Sequence, residues 1–312
     1  MKPHALFLML ALLGAPFILT QETQASTRTL TSQDLVLVGG GKRPVQALRA
    51  WVEAAKSKAH TRSPTRQVPI LGAIAWASEA PEEALNGIRA DLAQLTSAPL
   101  QASPVALKID EKKPFTPTEV RQVVQWLETL DGLYFTGGDQ NRLIDRFEKN
   151  PEIADTVRKR YQLGALSLAG TSAGTAIHGS LVFTGQEDLT LVNPHLLQLR
   201  PGLKTLPGFL VDQHFLKRQR HNRLISGVLA HPELTGLAID EDTALVLQSR
   251  TNGGWQAQVW GRGQVLVLQA LHLHAGQSAD FQMRFQEPGS CFLISPKRKP
   301  LTPCESAQNG AQ

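Results

Sequence analysis

Three short apolar runs in this chain each end in glycine, and helical patterns separate them. Residues 34–40 lead into Gly41, residues 132–136 into Gly137 and Gly138, and residues 163–169 into Gly170-Thr171-Ser172-Ala173-Gly174. Continuous apolar runs of this length suit strands buried on both faces. Further strands are expected at 68–76 and 103–109. Helices are expected at 44–58, 81–96, 117–130, 140–149 and 151–162. In the first helix Val45, Leu48, Val52 and Ala55 share a face flanked by Trp51, and Val120, Val123, Val124 and Leu127 form another. Strands alternating with helices predict an α/β fold with a doubly wound, mostly parallel sheet. Ligands bind such sheets at the carboxyl ends of the strands, where these glycines fall. After the third glycine cluster come short strands at 181–184 and 206–211 and a basic helix at 215–230. β-like segments at 236–240, 243–249, 255–260, 263–268 and 279–285 then predict a β-rich C-terminal part.

The third cluster carries a chemical pattern. A serine flanked two residues away by glycines, at a strand-to-helix turn, is a nucleophile elbow, G-x-S-x-G. Side chains at Gly170 and Gly174 would collide in so sharp a turn, and the turn presents the Ser172 hydroxyl above the sheet edge. The N–H of Ala173 points the same way, where it can stabilise an oxyanion. By contrast, Gly39, Gly40 and Gly41 lack the G-x-G-x-x-G register and the Walker Lys-Ser/Thr ending, so they read as a tight turn lining a site rather than a phosphate cradle.

A serine nucleophile needs a base and an orienting carboxylate. His214 ends the apolar strand that runs into Asp212 and Gln213, which places it level with the elbow. His178 is too near Ser172 in sequence to face it. His221 and His231 read as helix-surface or loop residues, and His272 and His274 as residues of a polar loop. The carboxylate comes from Asp240, Glu241 and Asp242, of which not all can face one side, or from Glu187 or Asp188. Arg218, Arg220 and Arg223 follow His214 closely, with Arg220 and Arg223 expected on one helical face. Guanidinium groups beside a nucleophile suit an anionic substrate.

Composition narrows the rest. The chain has 312 residues, 42% hydrophobic and 19% charged, enough for a sizeable core in one large domain. Its net charge of +5 is spread out, and no basic run exceeds Lys297-Arg298-Lys299, so a nucleic-acid partner is not expected. Lys2, an apolar run at 5–19 and a polar stretch at 20–26 predict a signal peptide over 1–25 and export to a periplasm or the outside. The run is short for a membrane span, so no stable membrane insertion is expected after cleavage. Thr23 stands where a small residue is usual before the cleavage site. The peptidase-like domain is expected over 26–295, followed by a loose tail at 296–312. Cys291 and Cys304 could close one small loop in an oxidising compartment. Neither stands in a metal-ligand spacing, and no metal or cofactor is expected.

Taken together, Phe135-Thr136-Gly137-Gly138-Asp139-Gln140, the elbow, Asp212-Gln213-His214-Phe215 with the three arginines, and residues 236–244 resemble cyanophycinase and its relatives, the serine peptidase family that also holds peptidase E. The resemblance runs from about residue 34 to 270. It implies a fold similar to class I glutamine amidotransferases. It implies Ser172 as nucleophile, His214 as base, Glu241 as the third member with Glu187 the alternative, and an oxyanion hole of Gly138 and Ala173 N–H groups. Gln140, Asp212, Gln213, Arg218, Arg220 and Arg223 would line the substrate pocket. The implied partner is a peptide, cyanophycin or another aspartyl peptide. Cyanophycin is a poly-aspartate whose side chains carry arginine, cleaved to β-Asp-Arg dipeptides. The order Ser…His…Glu departs from the α/β-hydrolases. Thr175 stands where the resemblance leads one to expect Ala. An aspartyl dipeptidase and a non-enzymatic binding protein on the same fold are the other readings, and a homodimer is left open.

Overall fold

The computed structural model describes residues 32–105, 113–184, 190–251, 253–274, 278–295 and 300–304. The expected signal peptide lies outside them. The first half of the chain alternates as expected: β1 (Asp34–Val38), α1 (Val45–Arg62), β2 (Leu71–Ile74), α2 (Pro81–Leu92), β3 (Leu100–Ala102), α3 (Pro117–Thr129), β4 (Gly132–Phe135), α4 (Gln140–Lys149), α5 (Pro151–Gln162) and β5 (Ser167–Thr171). The second half adds α6 (Ala173–Ala176), β6 (Leu181–Phe183), β7 (Leu199–Pro201), β8 (Phe209–Gln213), α7 (His221–Ala230), β9 (Thr235–Ile239) and β10 (Thr243–Ser249). It closes with β11 (Trp255–Gly261), β12 (Val265–His274), β13 (Ser278–Gln286), β14 (Cys291–Ile294) and β15 (Thr302–Pro303).

These strands form two sheets. The larger runs β15-β14-β11-β10-β1-β5-β4-β2-β3. Its members β1, β5, β4, β2 and β3 are parallel, and β10, β11, β14 and β15 extend it antiparallel. The smaller runs β13-β12-β9-β8-β6-β7, with β8 parallel to β6 and β9. The β-rich part is thus divided: β9 pairs with β8 and β12, while β10 pairs with β1 and β11. Residues 240–242 are the crossover between the two sheets.

Apolar periodicity explains the packing. Leu48, Trp51, Val52 and Ala55 of α1 are buried against the parallel sheet, while Val45, in the first turn, is exposed. The N-terminus of α3 is fixed by a capping box between Thr116 and Glu119. Several expected boundaries move. Residues 163–166 do not belong to β5, because Gly164 (φ 67°) ends α5 in the left-handed region, and Ala165 N–H donates back to Arg160 O. The expected basic helix begins at His221 rather than 215, since the chain turns through 215–220 with Gln219 at φ 52°. The third strand covers 100–102, with 106–112 outside the described residues. The expected tail is held, not loose, at residues 300–304: Leu301 is buried, β15 pairs with β14, and a disulfide joins Cys291 to Cys304. His272 and His274 lie on β12 rather than in a loop, exposed beside Asp280.

Candidate active site

Ser172 sits between β5 and α6 at φ 53°, ψ −115°, a conformation that non-glycine residues adopt only under constraint. A Cβ at Gly170 would overlap Gly174 O, and one at Gly174 would overlap Phe135 O on β4. Glycine is therefore required at both places, the second because of the neighbouring strand rather than the turn itself. Ser172 N–H donates to Val38 O at 3.0 Å, which ties the elbow to the end of β1.

His214 follows β8 at φ 48°. Its Nε2 lies 2.8 Å from Ser172 Oγ, and its Nδ1 lies 2.6 Å from Glu241 Oε1. Glu241 occupies the crossover between β9 and β10. Nδ1–H donates to the carboxylate, which leaves Nε2 to accept the serine hydroxyl. The two acids beside Glu241 have other tasks. Asp240 Oδ1 accepts from Lys217 N–H, and Asp242 Oδ1 accepts from Lys42 N–H. Of the acids at 240–242, Glu241 is the one within hydrogen-bond distance of His214, while Glu187 lies outside the described residues. Burial holds the His214 pKa below its ordinary value. The Glu241 carboxylate pulls it up, and the Arg218 and Arg220 charges push it down. The imidazole is therefore neutral at neutral pH, the form a base requires.

The other expected site residues divide into those that face outward and those that do not. Gly138 is exposed at the end of β4, and the preceding Gly137 backs onto Ser172: a Cβ there would lie 3.2 Å from that of the serine. Ala173 is the first residue of α6. Arg218 is exposed beside His214. Gln140 donates through Nε2 to Phe183 O at 2.7 Å, and Asn141 donates to Thr184 O. Both side chains hold the end of β6.

Asp212 and Arg223 turn inward, contrary to their expected place on a pocket wall. They are 1% and 5% exposed and form a two-pronged ion pair, Nε to Oδ2 at 3.0 Å and a second contact from the terminal nitrogen to Oδ1. Arg223 also stacks over the Phe183 ring at 4.7 Å. Gln213 is buried and accepts from Arg220 through both its backbone and side-chain oxygens. Arg220 is the residue before α7, so the expected Arg220–Arg223 helical face does not form.

Two polar side chains near the elbow are structural. Thr175 is fully buried, with Oγ1 2.7 Å from Val38 O and 2.9 Å from Gly170 O. It pins β1 to the elbow, a role no local sequence pattern announces. His178 is fully buried, with Nδ1 2.6 Å from Thr205 Oγ1 and its ring on Phe135. Burial drops its pKa to about 3, so it stays neutral and apart from Ser172. Among the described residues no group of three or more His, Cys, Asp or Glu side chains is placed to hold a metal ion.

A parallel α/β sheet with a serine at its elbow, facing a histidine and a glutamate brought in by a second sheet, defines a site of the serine-hydrolase type. The chain matches the model of Peptidase family S51 over residues 102–252. It is 41% identical over 155 residues to cyanophycinase from Nostoc sp., a match covering 50% of each chain. The same identity and coverage hold for cyanophycinase from Trichormus variabilis. Identity is 34% over 162 residues to that of Geminocystis herdmanii, across 52% of this chain and 58% of the other. The alignment thus spans about half the length of these curated relatives. A peptidase from an acI-B1 Actinobacterium shares the fold, with a TM-score of 0.57 and 22% identity over 84% of this chain and 97% of that one.

Proposed function

We propose that this chain is an exported serine peptidase that hydrolyses aspartyl peptide bonds, with cyanophycin as substrate and β-Asp-Arg dipeptides as product. The observation that carries the reading is the continuous hydrogen-bond relay from Ser172 Oγ through His214 to Glu241, at 2.8 and 2.6 Å. Similarity to curated cyanophycinases supports the substrate class. The Cys291–Cys304 disulfide supports export, because such bonds persist in oxidising compartments.

In this mechanism Ser172 Oγ attacks the aspartyl carbonyl carbon while His214 Nε2 takes the hydroxyl proton. Glu241 accepts the Nδ1–H hydrogen bond throughout and steadies the imidazolium. The oxyanion is held by the Gly138 and Ala173 N–H groups. His214 then protonates the leaving amine, the C–N bond breaks, and an acyl-enzyme remains on Ser172. A water, deprotonated by His214, releases the second product and restores the serine. Arg218, exposed beside His214, offers its guanidinium to a substrate carboxylate.

The test is incubation of the purified protein with insoluble cyanophycin. Release of β-Asp-Arg, lost in Ser172→Ala, is the expected result. Release that survives Ser172→Ala overturns the mechanism, and cleavage of Asp-X dipeptides without β-Asp-Arg release overturns the substrate.

A further inference from the structure

The two sheets expose four edge strands, and three of them are short: β3 and β7 have three residues and β15 has two. The fourth is β13, nine residues from Ser278 to Gln286, hydrogen-bonded on one side to β12. Its other side carries no strand among the described residues. A long bare edge is a template for another strand, and folds commonly block it with proline, a bulge in the edge strand or lysines. β13 contains neither proline nor lysine. Its register with β12 shifts between Ala270 and His272, so the extra residue, Leu271, belongs to β12 and β13 runs unbroken. The charges of β13 are Asp280 and Arg284, one of each sign.

The two faces of this strand differ. Ala279, Phe281, Met283 and Phe285 alternate onto one face. Ala279 and Phe281 pack against the apolar core that Leu224 and Val228 of α7 form with Leu266 and Leu268 of β12. Met283 and Phe285 stand opposite Leu268 and Leu266 in the register, yet they are 43% and 44% exposed. The core thus runs out uncovered at the edge. The other face carries Asp280, Gln282 and Arg284. Asp280 lies beside His272 and His274, whereas Arg284 is exposed and forms no ion pair with a described residue.

A second copy of the chain fits this edge. Residues directly opposite in an antiparallel pair share a face, so two identical strands in one continuous sheet pair even with even and odd with odd. A twofold axis beside Gln282 sets Asp280 of each copy against Arg284 of the other, and Phe281 against Met283. Moving the axis to Phe281 or Met283 sets Asp280 against Gln282 or Gln286 and loses both charge pairs. Gln282 is also the middle of the nine residues, so this register pairs the full strand. We propose that β13 is the interface of a homodimer, paired antiparallel with its own copy about Gln282. Such an interface is self-complementary, as twofold symmetry demands. Two Asp280–Arg284 pairs lie on one face, and Phe281, Met283 and Phe285 of both copies extend the apolar strip on the other. The two six-stranded sheets become one. Each protomer keeps its own Ser172, His214 and Glu241, and the inference stands apart from the peptidase reading.

Sedimentation velocity of the purified protein across a micromolar concentration series is the test, and a dimer is expected. Arg284→Asp sets acid against acid at both pairs, and Asp280→Arg sets cation against cation. Each should weaken the dimer about tenfold or more. The exchange Asp280→Arg/Arg284→Asp rebuilds both pairs with the roles reversed and should restore the parental association. Both residues are exposed, so the fold is not at risk. Gln282→Cys, facing its own copy, should be joined into a dimer by a short bismaleimide. A parent protein that stays monomeric throughout overturns the proposal and leaves the edge to a strand of another protein. A dimer indifferent to the single changes, an exchange no better than either of them, or Gln282→Cys that fails to cross-link overturns the pairing and the interface with it.

Discussion

Arg223→Met asks whether the guanidinium belongs to the substrate or to the fold. In the structure the Asp212 carboxylate receives Arg223 in two-pronged fashion, Gln213 N–H at 2.8 Å, and Arg220 at 3.5 Å. Removing one partner of a buried ion pair costs about 3–5 kcal/mol, since the other charge is left without compensation. Here Arg220 and the Gln213 N–H still face the carboxylate, so the lower end, about 3 kcal/mol, is expected. Replacing both members, in Asp212→Leu/Arg223→Met, removes the stranded charge and should cost less than the single change, by about 2 kcal/mol. Urea unfolding followed by circular dichroism, with the disulfide kept oxidised, measures all three proteins. If Arg223→Met keeps parental stability within about 0.5 kcal/mol while KM for peptide rises, the pair is not structural. Arg223 is then a substrate ligand after all.

Glu241→Gln preserves shape but removes the charge that steadies the imidazolium. In initial-rate measurements kcat is expected to fall about 10³–10⁴-fold, and a loss below about tenfold would move the orienting role to another acid, Glu187 first. Arg218→Ala removes a positive charge that holds the His214 pKa down, so that pKa rises. Because the neutral imidazole is the base, the acidic limb of the kcat/KM profile must then move to higher pH; a limb that stays or moves the other way refutes the assignment. Gly40→Ala drives a Cβ into the His214 ring at a backbone φ of 129°. It should lower kcat by more than about 100-fold through displacement of the imidazole, and a rate near the parent's would show the ring free to shift.

The sequence made local requirements legible. Gly170 and Gly174 are readable because no side chain fits there, and the faces of α1 and α3 because burial repeats with the helical period. His214 was singled out because an apolar strand delivers it to the same level as the elbow. What escaped depends on partners distant in the chain. Nothing in residues 235–249 says that β9 joins one sheet and β10 the other, since the decision is made by β8, β12, β1 and β11. The choice among Asp240, Glu241 and Asp242 required the crossover geometry. Arg223 read as a pocket cation because its spacing from His214 was visible, while its inward turn toward Asp212 was not. The C-terminal staple required the pairing of β14 with β15 as well as the two cysteines.

The end of β1 explains how segments so far apart in sequence form one relay. Three successive carbonyls accept from the three turns of the site: Val38 O from Ser172 N–H at 3.0 Å, Gly39 O from His214 N–H at 2.8 Å, and Gly40 O from Asp242 N–H at 2.9 Å. Gly39 N–H donates in return to Thr243 O. Among the described residues five non-glycine positions have positive φ, and Ser172, His214 and Asp242 are three of them. Each such residue costs on the order of 1–3 kcal/mol, so the three turns would relax if released singly. A backbone hydrogen bond contributes about 1 kcal/mol net, but leaving a buried N–H unmade costs about 1–3 kcal/mol. Relaxing any of the turns would therefore exchange strain for an orphaned donor, and the strained geometry persists. The turn fixes the spacing of nucleophile, base and carboxylate, with Gly40 left bare so that the imidazole can lie against it.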